Sequence, residues 1–515
     1  MSNFAPTTWQ RFALSLVVFL PLTVLWALVN PMFASPDEPA HMARAQGFSN
    51  GDLFAPFETD GLPVDAMECF KFQSEVTADC QDLSWGAAGT QVDAPTDGYP
   101  PLLHAVAAVP ALVSSGLSGA YLMRLWLAVV CAVLLAAAAV IVSRPGTGRW
   151  PLTGLLLGVT PMVVFTAATV NPSGLTAAFV ALLVAGALSR FHFGATDRAT
   201  TAALAVGAFG LTLVRRDGLI WLVIVAAALS PLLPWRDARA VLTRRRSRPV
   251  IAVVALATFV AAAWGIPTLV RFFENRRLEG DGTSWQGLGV FRLYLRQVIG
   301  QFGWLDASMG EEAFLAALVV AGAVVLLGIT SGSGRLARVT VLATVALVAA
   351  PTVFGAVRYP YLQGRYLIPI WICLMMAAAV SAAAGDIGPR VTIRLTRLVL
   401  VVWAIVHTVA YLQNLRRYAV GARGSWRFVF EDAPWHPPTM PNLVAAILVV
   451  PVVLAAALAA RELLSRAAEP GRETGQTSSG SRRDSRKKIA QPATSTANET
   501  SVNTPSLSHG GAEPS

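Results

Sequence analysis

Charge is what this chain has least of. Only 14% of its 515 residues are Asp, Glu, Lys or Arg, against 54% hydrophobic residues. A soluble domain carries about a quarter charged residues. With a mean hydropathy of +0.55, the deficit excludes a soluble globular protein and points to the bilayer as solvent. Nucleotide and metal signatures are missing too. There is no Walker A loop, no Gly-rich dinucleotide fingerprint and no zinc-ligand spacing. The stretch Gly328-Ile329-Thr330-Ser331-Gly332-Ser333-Gly334 lacks the lysine of a phosphate loop. No internal repeat is visible. The first apolar run, Phe12 to Val29, has no small-residue cleavage site after it and is expected to be a retained anchor. Of the four cysteines, Cys131 and Cys373 lie within apolar runs and read as small core hydrophobes.

What is present is a series of apolar stretches of the length that a helix needs to cross a ~30 Å hydrocarbon core. They run near 12–29, 121–142, 151–170, 172–190, 200–214, 218–233, 250–270, 312–330, 339–357, 365–384, 395–413 and 441–460. The expected fold is an all-α polytopic membrane domain over residues 1–468 with about twelve transmembrane helices (11–13). Net charge is +10, but the basic residues gather in short loops such as Arg236–Arg248 and in the tail around Arg482–Lys488. That is the positive-inside pattern and not a nucleic-acid surface, so no nucleic-acid partner is expected. It places both termini in the cytoplasm of a plasma-membrane protein. Residues 469–515 have almost no large apolar side chains and are expected to form a disordered cytoplasmic tail. The loop 414–442 is the exception, because Arg416, Arg417, Arg423 and Arg427 then fall outside, against the bias.

This topology leaves a large first outer loop, about 31–120, with juxtamembrane helices around Pro100–Gly116. Between Pro31 and Pro100 it carries twelve carboxylates against Arg44 and Lys71. Cys69 and Cys80 also lie there, and outside the cytoplasm a pair at that spacing is a reasonable disulfide. The loop opens on Ser35-Pro36-Asp37-Glu38-Pro39-Ala40-His41. Ser35 as N-cap, Pro36 at the first helical position and Glu38 closing a capping box would account for three of these residues structurally. Asp37 and His41, four apart beside Arg44, suit general-base work on a hydroxyl. Asp37 could instead bind a divalent cation, magnesium or manganese, with His41 or with Glu38.

Other polar signals reach the same face: Tyr99 and His104 at the juxtamembrane helix, Asn171-Pro172-Ser173, Arg215-Arg216-Asp217, and the turn from Arg358 through Arg365 and Tyr366. Turns need polar residues and arginines can anchor lipid head groups, so each signal has a bland reading. Yet Arg215, Arg216, Arg358 and Arg365 sit where the positive-inside bias disfavours them. A guanidinium fork suits phosphate oxygens, and interfacial charge of this sort marks a functional site by default.

The motifs Pro36-Asp37-Glu38-Pro39-Ala40-His41, Tyr99-Pro100-Pro101-Leu102, Asn171-Pro172 and Gln363-Gly364-Arg365-Tyr366-Leu367-Ile368-Pro369 resemble those of the domain-of-unknown-function 2142 family. These are polytopic proteins frequent in actinobacteria and often considered relatives of the GT-C glycosyltransferases. The resemblance covers roughly residues 10–460. It implies a GT-C-like fold and transfer of a sugar from a polyprenyl-phosphate donor to a cell-envelope glycan acceptor on the outer face. It also implies that Asp37 is the base or metal ligand, with Glu38 second. The chain departs at Ser173, where the family often has Asn-Pro-Asp, and the missing carboxylate weakens a metal-site reading. Two other classes remain open: a transporter or flippase of lipid-linked precursors, and a non-catalytic envelope scaffold.

Overall fold

A computed structural model describes residues 7–233, 251–263, 288–356 and 363–469, apart from Pro95, Asp97, Val254, Ala257, Ala261, Ser333 and Asp386. The basic stretch 236–248, Arg358 and the tail beyond Glu469 lie outside the described residues.

The described residues are mostly helical. In order come α1 (Thr8–Val29), α2 (Glu38–Asn50), α3 (Leu102–Ala108), α4 (Gly116–Val142), α5 (Trp150–Gly158), α6 (Pro161–Ala167), α7 (Pro172–Phe191), α8 (Arg198–Val214) and α9 (Gly218–Leu229). Then follow α10 (Leu288–Ile299), α11 (Glu311–Thr330), α12 (Gly334–Ala356), α13 (Ile368–Ala383), α14 (Pro389–Val420) and α15 (Asn442–Ala467). Among the described residues eight helices are long and apolar enough to cross a membrane, or nine if α5 and α6 count as one bent span. The protein is an all-α polytopic membrane protein.

Local chemistry sets the boundaries. Thr7 and Gln10 form a reciprocal capping box at the start of α1. The expected span 151–170 is broken: α5 and α6 meet at a 64° bend. Thr160 caps α6 with its side chain and Pro161 occupies the first turn, a strong start signal inside an apolar run. The Arg215–Asp217 turn divides 200–233 into two helices shorter than a straight crossing.

At the centre lie α7 and α13, whose most apolar windows are 89% and 94% buried. Small residues let backbones approach them, as is usual between membrane helices. A Cβ on Gly154 of α5 would stand 2.7 Å from the Met375 carbonyl, and one on Gly207 of α8 would stand 2.6 Å from the Leu183 nitrogen. The outer helices α11, α12 and α15 are mostly unburied and carry the lipid-facing residues.

A lobe sits between α1 and α4. It holds α2, an antiparallel pair of β1 (Phe57–Thr59) and β2 (Thr90–Val92), and a Cys69–Cys80 disulfide. Arg417 near the end of α14 holds the disulfide loop. Its guanidinium donates to the carbonyls of Phe70 (3.1 Å), Gln73 (2.9 Å) and Val76 (2.5 Å) and to Asp306 Oδ2 (2.7 Å). Arg423 reaches Glu75 from the same side. These arginines of the 414–442 loop therefore face the acidic lobe, a reason for their place that does not involve the positive-inside bias.

The start of α2 differs from expectation. The cap is Asp37, in the left-handed region at φ +65°, and the proline in the first turn is Pro39. Ser35 does not cap; only its N–H approaches the Glu38 carboxylate, at 3.5 Å. The shift follows from Glu38, which is drawn into the protein by partners on other helices.

Candidate functional site

Glu38 is fully buried. Its Oε1 accepts from Arg124 Nε (2.8 Å) and the Val170 N–H (3.0 Å), and its Oε2 accepts from Arg124 Nη2 (2.6 Å). Arg124 also donates to the carbonyls of Asn30 (2.9 Å) and Pro31 (2.8 Å). One carboxylate thus joins α2, α4 and the turn before α7. Asn171, the N-cap of α7, adds bonds to Ser35 Oγ (3.2 Å) and the Pro36 carbonyl (2.9 Å). Both side chains are spent on holding the 35–38 turn.

The turn presents Asp37, whose side chain is 50% exposed. Asparate at an N-cap ordinarily accepts from the helix's own N–H groups; here it makes no such bond. Its Oδ2 lies 3.0 Å from Arg365 Nη2 instead. Arg365 sits in a short 3-10 turn, Gly364–Leu367, that leads into α13, and its side chain is 2% exposed. Its Nε and Nη1 are buried without a partner among the described residues.

Around this pair the other sequence-derived residues converge. The Arg365 and Arg215 guanidinium carbons lie 5.5 Å and 4.1 Å from the Tyr366 ring centre. Arg215 is held by Asp217 (Nε to Oδ1, 2.7 Å) and donates to Ser173 Oγ (3.1 Å). The serine where a carboxylate was expected serves as a neutral acceptor. Arg216 lies 5.3 Å from the Tyr99 ring centre, and Tyr99 meets His41 edge-on at 5.0 Å. Arg44 is buried behind them, donating to the Thr96 carbonyl.

His41 and His104 are both buried and share a hydrogen bond, Nδ1 to Nε2, at 3.1 Å. Burial lowers His41 to about 3; the Asp37 charge opposes this, and Arg365, Arg215 and Arg44 add to it. Burial, His41 and Arg44 hold His104 well below its ordinary value as well. The pair is neutral at physiological pH. Burial, with Tyr366 beside it, raises the Tyr99 phenol, which stays protonated.

A cation between Asp37 and Glu38 does not fit this donor set. The Glu38 oxygens are taken by Arg124 and backbone N–H groups, and among the described residues no three His, Cys, Asp or Glu side chains form a metal-binding group. Sequence reasoning missed Arg124 and Asp217. Arg124 had a signal, as a lone charge inside the apolar run of α4. Asp217 was in view beside Arg215, but its role appears only once the turn is folded.

Taken together, the fold and site define a multi-pass helical membrane protein with a cluster of arginines around one exposed carboxylate. A family model described as "Predicted membrane protein (DUF2142)" matches residues 20–375, and the chain belongs to that family. No curated protein matches it. Among solved structures it is similar to ArnT from Cupriavidus metallidurans bound to undecaprenyl phosphate. Identity is 15% over 89% of this chain and 75% of that one, with a TM-score of 0.46, a level at which neither substrate nor mechanism transfers.

Proposed function

We propose that the protein is a membrane glycosyltransferase of GT-C type, moving a sugar from a polyprenyl-phosphate donor to a cell-envelope glycan hydroxyl. In this reading the Asp37 end faces outward and both termini are cytoplasmic. The observation that carries it is the Asp37–Arg365 pair. A buried guanidinium with two unpartnered nitrogens, beside a half-exposed carboxylate, offers an anion site and a proton acceptor within one small volume.

Arg365, with Arg215 and Arg216 nearby, would hold the phosphate and stabilise its growing negative charge. Asp37 Oδ1, which makes no hydrogen bond among the described residues, would take the acceptor's proton. The acceptor oxygen forms its bond to the sugar C1 as the C1–O bond to phosphate breaks. The electron pair leaves on polyprenyl phosphate, with inversion at C1. Glu38, Arg124 and Asn171 position the turn. The test is turnover in liposomes supplied with lipid-linked sugars and glycan acceptors from the host. Normal turnover by Asp37→Asn would end this version.

One observation favours transport instead. The α5–α6 break is a discontinuous helix of the kind that transporters place at their binding sites. Movement of a lipid-linked precursor across the bilayer without bond cleavage would select that reading.

A further inference from the structure

At the far end of α1 from Asp37, a cavity of about 410 Å³ opens between α1, α4, α7 and α8. That volume is in the range of small-molecule sites, ~300–1,000 Å³. Its walls are Trp9 and Phe12 of α1, Val140 of α4, Leu182 of α7 and Val206 of α8, and its space comes from alanines such as Ala202. Along α8 it runs from Ala199 to Val206, about 10 Å at 1.5 Å per residue. No charged side chain lines it.

A charge without a counter-ion among the described residues stands beside it. Arg11, one residue from the cavity wall at Phe12, is 8% exposed and forms no ion pair among the described residues. Its Nη1 donates to the carbonyls of Val140 (3.2 Å) and Ser143 (3.4 Å), while its Nε is buried with no partner. The buried Ser143 hydroxyl is unpartnered too. Arg144, close enough for its charge to act on Arg11, is already paired with Asp197 at 2.7 Å. Trp9, 78% exposed at the mouth, is placed as an interfacial anchor would be.

We infer that this cavity is a binding site for one anionic phospholipid, with an acyl chain between α1 and α8 and the head-group phosphate on Arg11. An apolar slot open to the bilayer accepts a chain. The Arg11 guanidinium, bonded to the carbonyl of the wall residue Val140 and without an ion pair among the described residues, selects negative charge, as basic residues at the membrane surface do. The site is separate from the Asp37 cluster and stands whether or not that cluster transfers sugar.

Native mass spectrometry of the full-length protein from nanodiscs holding equal phosphatidylglycerol and phosphatidylcholine tests it. The expected result is one retained lipid, with phosphatidylglycerol favoured about fivefold. Arg11→Gln should abolish the preference and Arg11→Lys should keep it. Ala202→Phe, at an exposed wall position, should abolish retention of either lipid, and Ala199→Leu at the mouth serves if that variant does not fold. Equal retention of the two lipids, or a preference unchanged by Arg11→Gln, overturns the inference.

Discussion

Replacing Glu38 with alanine separates support of the site from chemistry at it. The substitution removes two charge-assisted bonds to Arg124 and the acceptor of the Val170 N–H, all in a fully buried setting. Arg124 keeps its hydrogen bonds to the carbonyls of Asn30 and Pro31 and its place over the Tyr121 ring, none of which carries a negative charge. An uncompensated buried charge costs about 3–5 kcal/mol. Asp37→Asn removes the charge of a side chain that is half exposed, so water already screens it, and the amide oxygen can still accept from Arg365. Unfolding of the two variants in detergent, by denaturant titration or thermal scan, should therefore show the larger loss of stability in Glu38→Ala. The cycle of Glu38→Gln, Arg124→Gln and the double variant should show coupling of about 2–3 kcal/mol. A Glu38→Ala protein as stable as Asp37→Asn, yet without turnover, would refute the reasoning and make Glu38 a reacting group.

Three further outcomes follow from the geometry. His41 is lowered to about 3 and His104 is held well below its ordinary value, so as pH falls below about 6.5 the unfolded chain binds protons that the folded chain refuses. Stability is therefore lost as pH falls through that window, by up to about 1.4 kcal/mol per pH unit per histidine. A His41→Gln, His104→Gln protein should show a flatter melting temperature against pH, and an unchanged slope would contradict the burial argument. Arg417→Met should loosen the disulfide loop, seen as faster amide exchange over residues 69–81 with little change in α7 and α13, whereas uniform exchange would mean that the clamp is not local. Replacing Cys69 and Cys80 with serine, which opens a loop of eleven residues' separation, should cost the lobe about 3 kcal/mol. Unaltered proteolysis of the lobe would count against that.

Much of this was legible in the sequence because the signals were of two robust kinds. Apolar runs read out the helices, and every expected span that is described has a helix over it. Charges out of place read out the cluster: Asp37, His41, Tyr99, His104, Arg215, Arg216, Arg365 and Tyr366 come together, although they span more than three hundred residues of chain. What could not be read was partnership. Glu38 and Asp37 are adjacent carboxylates with the same local signal, and only the fold shows that one faces Arg124 in the interior and the other Arg365 at an opening. The α5–α6 break had a local signal in Thr160-Pro161, but the unbroken apolar run around it reads as one span, and the bend is held by contacts such as Thr160 Oγ1 with the Val298 carbonyl at 2.7 Å.

In the proposed reaction, Asp37 and Arg365 form the site where a lipid-linked phosphate gives up its sugar. The most direct measurement is release of free polyprenyl phosphate by the purified protein in liposomes loaded with the host's own polyprenyl-phosphate sugars and glycan acceptors. Release is expected from the wild type and none from Asp37→Asn, with a weaker apparent affinity for donor, by about tenfold or more, in Arg365→Lys. Wild-type protein that releases nothing, while a known transferase handled identically does, would contradict it.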